Sequence, residues 1–212
     1  MRIAVLGTGT VGQTLAPAFE RLGHQVTLGT RDPAATQARA GWALDIAVKP
    51  YAEVAHDADL VVNATNGQGS LSALGAVGSD ELVGKVLLDV SNPLDFSQGF
   101  PPTLAVKDTD SLAEQIQRAF PGAQVVKSLN IVNAAVMVDP SRVGGGDTTM
   151  LVAGDVAEAR AVVVDLLHAL GWSDVLEFEE LSAARGMEMW LPLWVRLMGH
   201  LGTADFNLKI VR

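Results

Sequence analysis

The fold is decided by one stretch near the amino terminus, residues 2–12, which reads RIAVLGTGTVG. Ile3 to Leu6 is a short β-rich run that leads directly into Gly7. Val11 to Leu22 then places apolar side chains at helical spacing, and Gly23 follows where a helix C-cap belongs. A strand, a glycine turn and a helix in this order form the first half of a βαβ unit.

The same alternation of strand and helix patterns continues along the chain. It predicts a doubly wound, mainly parallel α/β sheet in residues 1–180, followed by a helical C-terminal extension in residues 181–212. In the extension, Pro192 is expected to kink or restart the helix. Further predicted strands are 25–28, 46–49, 60–63, 86–90, 124–128, 149–153 and 175–178, and further predicted helices are 52–56, 70–77, 111–120 and 156–170.

Composition excludes several classes of protein. The 212 residues include no cysteine, so disulfides and cysteine nucleophiles are ruled out. With 15 basic and 24 acidic residues the net charge is −9, which disfavours nucleic-acid binding. No apolar stretch is long enough for a membrane span or a signal peptide, so a cytoplasmic protein is expected. Hydrophobic residues make up 49%, and the Met- and Trp-rich segment 187–201 is expected to cover the ligand crevice or to form a dimer interface.

The glycine turn carries the first functional signal. Gly7, Gly9 and Gly12 match the pattern G-x-G-x-x-G between a strand and a helix, which is the context of an NAD(P)-binding Rossmann fold. Glycines there allow the backbone to approach a pyrophosphate, whose charge meets the positive end of the helix. The alternative is a turn that only packs helix against strand, and the context favours binding.

The end of the second predicted strand discriminates between the two nicotinamide dinucleotides. Thr30 and Arg31 stand where a ribose-binding acid is usual in NAD enzymes, and a hydroxyl beside a guanidinium suits a 2′-phosphate. Asp32 could be that acid displaced by one residue, but its place before Pro33 favours N-capping of the next helix. The pattern therefore favours NADP over NAD.

Asparagines follow three successive predicted strands, at Asn63, Asn92 and Asn130. Ligands bind beyond the carboxyl ends of strands in open parallel sheets, and an uncharged amide can pair with a nicotinamide carboxamide. A single asparagine would more simply start a turn. Three at equivalent positions favour the lining of a cofactor cleft.

The sequence offers no convincing catalytic acid or base. The four histidines are scattered, and Lys127 is expected to extend from a strand end to solvent rather than act as a base. No metal-ligand cluster is recognisable. Hydride transfer between two heterocyclic rings needs proximity and alignment more than a proton acceptor, so it fits this inventory.

Three segments carry a resemblance to a known family. Residues 1–12, Leu22 to Asp32 and the segment 189–198, MWLPLWVRLM, resemble the NADP oxidoreductase, coenzyme F-420-dependent family. That family includes archaeal reductases that exchange hydride between NADP and an 8-hydroxy-5-deazaflavin, and its fold also serves as the cytosolic domain of membrane ferric reductases.

The resemblance implies a homodimeric NADP-dependent oxidoreductase that acts on a small-molecule redox substrate, a deazaflavin or flavin. By position it assigns the pyrophosphate to Thr8, Gly9, Thr10, Val11 and Gly12, the 2′-phosphate to Thr30 and Arg31, and the nicotinamide surroundings to Asn63, Ala64, Thr65, Asn66 and Asn130.

Two other functions remain open from the sequence. A β-hydroxyacid dehydrogenase or imine reductase would share the amino-terminal pattern, but such enzymes carry a large helical C-terminal domain with a catalytic lysine. A non-catalytic NADP-sensing module would also fit the lack of an acid or base.

Overall fold

The computed structural model describes residues 1–212 and contains one eight-stranded sheet and a small hairpin. Strand order in the large sheet is β10-β9-β8-β5-β4-β1-β2-β3, and every pair is parallel except β8 with β9. The hairpin, β6 with β7, was not predicted from the sequence. The strands are β1 (Arg2–Leu6), β2 (Gln25–Thr30), β3 (Ala47–Pro50), β4 (Leu60–Asn63), β5 (Val86–Asp89), β6 (Leu94–Asp95), β7 (Thr103–Leu104), β8 (Gln124–Ser128), β9 (Thr149–Ala153) and β10 (Asp174–Phe178).

Helices cover both faces of the sheet, because alternate residues of the strands enter two different cores. In β1, Ile3 and Val5 belong to the larger core, whereas Ala4 and Leu6 belong to the smaller one. This confirms the doubly wound prediction. The helices are α1 (Thr10–Arg21), α2 (Pro33–Gln37), α3 (Tyr51–Val54), α4 (Ser70–Val77), α5 (Ser79–Leu82), α6 (Leu112–Ala119), α7 (Ala134–Val138), α8 (Ala157–Ala169), α9 (Ala184–Met189) and α10 (Leu191–Leu201).

The carboxyl terminus of the chain packs against the sheet as two short helices and a tail. Helix α9 ends at Met189 and α10 begins at Leu191 with Pro192 in its first turn, so the proline restarts the helix as predicted. The tail reaches back to β9, where the backbone N–H of Thr149 donates to the carbonyl of Leu208 at 3.1 Å. No helix is both long and apolar enough to cross a bilayer.

Strand order places the ligand crevice. The chain leaves β1 towards β2 and β3, then crosses back to β4 and continues to β5 and β8, so the direction reverses between β1 and β4. In doubly wound sheets ligands bind at this switch point, beyond the carboxyl ends of the strands. Leu6, Gly29, Asn63, Asp89 and Lys127 form one row across these ends.

Candidate functional site

The glycine turn between β1 and α1 is built so that only glycine fits. Gly7 has a φ of +109°, and a Cβ there would lie 2.5 Å from the carbonyl oxygen of Ala64. At Gly12, a Cβ would lie 2.0 Å from the carbonyl oxygen of Gly7. Both glycines therefore let α1 and the turn after β4 approach β1 closely.

The start of α1 is open to a ligand. Its N-cap is Gly9, which supplies no side-chain acceptor, and a Cβ at Gly9 would meet nothing within 4 Å. The first N–H groups of the helix, from Thr10 and Val11 onwards, thus lack a side-chain cap and carry the positive end of the helix dipole. This cradle of glycine backbone and free N–H groups fits a pyrophosphate.

Arg31 lies at the end of β2 with its guanidinium exposed and without a carboxylate partner. The neighbouring Thr30 is buried, and its hydroxyl lies 3.0 Å from that of Thr36. Asp32 accepts a hydrogen bond of 2.9 Å from the backbone N–H of Ala35, which confirms that it N-caps α2. Of the three polar residues here, Arg31 is the one free to bind a phosphate.

Arg39 is a second cation that sequence reasoning missed. Its guanidinium donates to the carbonyl of Thr8 at 3.0 Å and to the carbonyl of Thr36 at 3.3 Å, and it lies 5.3 Å from the ring centroid of Trp42. The glycine turn therefore has an arginine directly against it. Helix α2 ends at Gln37, so helical periodicity alone gave no reason to place Arg39 back over the turn.

A cavity of about 260 Å³ adjoins Arg31 on the side of α4. Tyr51 forms one wall, and burial raises the pKa of its phenol while the nearby Arg31 cation opposes that rise. The opposite wall is formed by the small side chains of Ser72, Ala73 and Ala76 on α4, which leave room for a planar ring. The full lining is Arg31, Tyr51, Thr65, Asn66, Gly69, Ser72, Ala73 and Ala76.

Asn63 occupies the switch point, but its amide faces the protein. The side chain is fully buried, and its N–H₂ group donates to Asp89 at 2.8 Å and to the hydroxyl of Ser70 at 3.0 Å. Its oxygen accepts from the hydroxyl of Thr65 at 2.7 Å. Asn63 thus shapes the turn that contains Ala64, Thr65 and Asn66, and its amide is already paired within the protein.

Asn92 and Asn130 are hydrogen-bonded to each other. The side chain of Asn92 donates to the carbonyl of Asn130 at 2.9 Å, and the Asn130 amide donates to Asn92 Oδ1 at 2.9 Å and to the carbonyl of Met187 at 3.0 Å. Asn130 Oδ1 is buried without a partner. A buried acceptor left unpaired is costly, which is expected where a ligand completes the site.

A second cavity, of about 290 Å³, opens beside these asparagines. Trp194 of α10 lines it, stacks on Phe206 at 5.2 Å between centroids, and keeps its indole N–H buried and unpaired. None of the residues around this cavity carries an ionisable side chain: Val11, Thr65, Asn66, Gly67, Val90, Ser91, Asn92, Leu94, Phe96, Asn130, Val132, Asn133, Ala134, Met137, Leu191 and Trp194.

Lys127 corrects one sequence expectation. It does not extend to solvent but is fully buried, with its Nζ 2.7 Å from Asp89 and 2.9 Å from Glu188. Burial by itself lowers the pKa of this amine, yet the two carboxylates outweigh burial, so the pKa lies above its ordinary value. The snorkelling expectation was wrong because the partners come from β5 and α9, far away in sequence.

Comparison with known proteins gives one family. Residues 2–93 match the model of the family described as NADP oxidoreductase, coenzyme F420-dependent. The F420-dependent NADP reductase of Methanothermobacter thermautotrophicus is 30% identical over 212 residues, with 93% of this chain and 89% of the relative covered. A solved structure from Arthrobacter sp. FB24, assigned as an F420-dependent NADP-reductase, is 55% identical with a TM-score of 0.98, and both chains are covered completely.

A second kind of relative shares only part of its length with this chain. The metalloreductase STEAP3 of Rattus norvegicus is 29% identical over 197 residues, which cover 91% of this chain but 38% of the relative. The match to a reductase over nearly its whole length, together with the glycine cradle and the switch-point crevice, identifies the present protein. The chain belongs to the NADP oxidoreductase, coenzyme F420-dependent family and is an NADP-dependent oxidoreductase.

Proposed function

We propose that this enzyme transfers a hydride directly between NADP(H) and the ring of a deazaflavin or a flavin-like acceptor. The observation that carries the proposal is the absence of any ionisable side chain around the cavity beside Asn92 and Asn130. Reduction of a carbonyl or an imine needs a positioned proton donor, whereas transfer between two rings needs alignment.

The dinucleotide is assigned to the crevice by the fit of its parts. We assign the pyrophosphate to the glycine cradle, the 2′-phosphate to the end of β2, and the nicotinamide to the strand ends beyond β4. When bound, NADPH supplies the hydride from its nicotinamide ring. The proposed binding residues are Gly7, Thr8, Gly9, Thr10, Val11, Gly12, Arg31, Ala64, Thr65, Asn66, Asn92 and Asn130, with Arg39 added from its contact with Thr8. Thr30 and Asn63 belong to the proposed site as residues that shape its turns, because their side chains are paired within the protein.

The second substrate is argued from the shape and polarity of the same cavity. Apolar side chains such as Val132, Met137 and Leu191 would pack against a flat ring system. The uncharged amide side chains that line the cavity, among them Asn66 and Asn92, suit a ring edge that carries both an N–H and a carbonyl. The pyrimidinedione edge of deazaflavins and flavins has both groups.

With both partners bound, NADPH would supply a hydride from C4 of its nicotinamide to C5 of the deazaflavin. The acceptor would take one proton from water at N1, so that NADP⁺ and the reduced acceptor would form. The protein's part is to hold the two rings close and to exclude water from between them. The side chains of the cavity wall are consistent with that part, since they neither donate nor remove protons at neutral pH.

The imine reductase alternative is disfavoured by the position of Lys127. A catalytic lysine must reach the substrate, but this amine is fully buried and paired with two carboxylates. The test is to mix the enzyme and NADPH with one of three acceptors and to measure the loss of NADPH absorbance. The acceptors are an 8-hydroxy-5-deazaflavin, FMN and a cyclic imine. We expect turnover with the deazaflavin, and turnover with the imine alone would overturn the proposal.

We also propose that residues 1–180 form the dinucleotide-binding domain, that residues 181–212 form an extension packed on it, and that two chains associate. Helix α10 supports association, because the apolar side chains of Leu193 and Leu201 on it expose about half of their surface. Light scattering coupled to gel filtration tests this, and a mass of 22.2 kDa at all concentrations would contradict it.

A further inference from the structure

Three polar side chains lie side by side across the centre of the sheet. Strand register pairs Asn63 of β4 with Asp89 of β5, and Asp89 with Lys127 of β8. Residues paired in this way project from the same face of the sheet. All three side chains are fully buried, so this buried row of Asn63, Asp89 and Lys127 is shielded from solvent.

A fourth side chain closes the row from the carboxyl-terminal part of the chain. Glu188 of α9 lies 2.9 Å from Lys127 and is itself buried. Its carboxylate also accepts from the backbone N–H of Leu112 at 2.8 Å and of Ala113 at 3.2 Å, the first N–H groups of α6. Two carboxylates face one ammonium, and the positive end of α6 offsets the remaining negative charge.

The row continues into the turn after β4. Asp89 accepts from the Asn63 amide at 2.8 Å and from the Ser91 hydroxyl at 2.6 Å, and Lys127 donates to the Ser91 carbonyl at 2.5 Å. Asn63 in turn accepts from Thr65 at 2.7 Å. A continuous chain of hydrogen bonds thus runs from α9 to a residue that lines both ligand cavities.

Stability alone gives a weak reason for this arrangement. Burying three charges is costly, and apolar residues of similar size would hold α9 against the sheet at least as well. What charges and amides add is a fixed orientation, because each donor and acceptor in the row has a defined partner.

We infer that Asp89, Lys127 and Glu188 are positioning residues, which let the docking of α9 fix the turn from Asn63 to Asn66. The role assigned to the turn rests on the proposed placement of the nicotinamide beside it. None of the three charged side chains lines a ligand cavity, so they act through Asn63 and Ser91 and not by touching substrate.

Hydrogen–deuterium exchange of the full-length protein without ligand tests the inference. In Glu188→Gln the charge opposite Lys127 is lost, and the amide N–H₂ faces either the N–H groups of α6 or the ammonium, so the docking of α9 on the row is weakened. We expect amides of residues 63–70 to exchange about tenfold faster than in the wild type, although they lie in a different part of the chain.

The matched control is Glu114→Gln. Glu114 also ties α6 to α9, through a hydrogen bond of 2.8 Å from the Arg185 guanidinium, but it has no contact with Asp89 or Lys127. We expect this variant to speed exchange in α9 while exchange at residues 63–70 stays within about twofold of the wild type. Equal effects of the two variants on that turn, or no effect of Glu188→Gln there, would overturn the inference.

A milder variant covers the case in which Glu188→Gln does not fold. Glu188→Asp keeps the charge but withdraws the carboxylate by one methylene, and a smaller acceleration at residues 63–70 is expected. Unchanged exchange there would again contradict the inference. No acceptor is present in this measurement, so failure of the proposed deazaflavin reaction and failure of the positioning role are separate results.

Discussion

The two sides of the proposed ligand crevice present different kinds of chemical groups. On the β1–β2 side, the proposed site is formed by backbone N–H groups and by the exposed Arg31 and Arg39. On the β4–β5–β8 side, the surface rests on a buried row of charged and amide side chains. In the proposed function, the first side binds the charged phosphates, and the second holds the nicotinamide ring in one orientation.

This contrast teaches where each kind of interaction is useful. Phosphates are bound by local positive charge. A protein with a net charge of −9 can supply that charge only through helix dipoles and individual arginines. Ring alignment demands rigidity, which a network of paired buried groups provides. Variants on each side should therefore fail in different ways, and their expected effects are considered from the largest to the smallest.

The largest effect is expected on the glycine side, at Gly12. Valine there would force a Cβ against the Gly7 carbonyl, where the ideal position lies at 2.0 Å, and α1 would have to move. We expect Gly12→Val to lose about 3 kcal/mol or more of unfolding free energy and all measurable NADPH binding. Urea unfolding and NADPH fluorescence measure both quantities.

Gly9→Ala is the control, because a Cβ at Gly9 meets no atom within 4 Å. This variant should keep its melting temperature while the added methyl group weakens NADPH binding. A stable Gly12→Val protein that binds NADPH normally would contradict the glycine cradle.

The next effect is expected in the buried row. Lys127→Met leaves Asp89 and Glu188 buried without their cation, at a cost of about 3–5 kcal/mol at neutral pH. The wild-type contribution of Lys127 persists through neutral pH and is lost only as pH rises above about 10.4, because the folded pKa is raised.

The variant should lack this loss of stability at high pH, because it has no ammonium group at position 127 to deprotonate. Lys107→Met, at an exposed lysine, is the control and should follow the wild type. Parallel pH profiles for all three proteins would contradict the charge pairing.

A smaller effect is expected from Arg31→Ala, which sharpens the phosphate side of the comparison. Loss of charge-assisted hydrogen bonds worth about 1.5–3 kcal/mol should weaken NADPH binding by roughly 10- to 150-fold and leave NADH binding unchanged. Arg21→Ala, in the exposed last turn of α1, is the matched control. Equal losses for NADPH and NADH would remove the 2′-phosphate assignment.

The smallest effect is expected at the surface, where Asp174 binds the tail through Lys209 and Arg212. Hydrogen bonds from Thr149, Lys209 and Arg212 lower the pKa of this carboxyl to about 2. Its contribution is therefore complete above the unfolded pKa of about 3.9 and is lost as pH falls through about 2. At neutral pH, Asp174→Asn should lower the melting temperature by only about 1–2 °C. A decrease as large as that caused by Lys127→Met would contradict the expected difference between surface and buried ion pairs.

The residues on the two sides of the crevice could be predicted from the sequence to different degrees. The strand–glycine–helix pattern, the NADP preference at Arg31 and the capping role of Asp32 depend on neighbours within a few residues. The row of Asp89, Lys127 and Glu188 joins residues up to 99 positions apart, and no local pattern connects them. Asn63 shows the limit clearly, since its strand-end position was predicted but the inward direction of its amide depends on Asp89.

The most direct test of the account is the fate of deuterium carried at C4 of NADPH. Direct transfer between rings predicts that deuterium from one face of the nicotinamide appears at C5 of the reduced deazaflavin, where it does not exchange with water. Reaction in D₂O with unlabelled NADPH should then leave hydrogen at C5. Solvent-derived deuterium at that carbon, or no reduction of the deazaflavin by bound NADPH, would contradict direct hydride transfer.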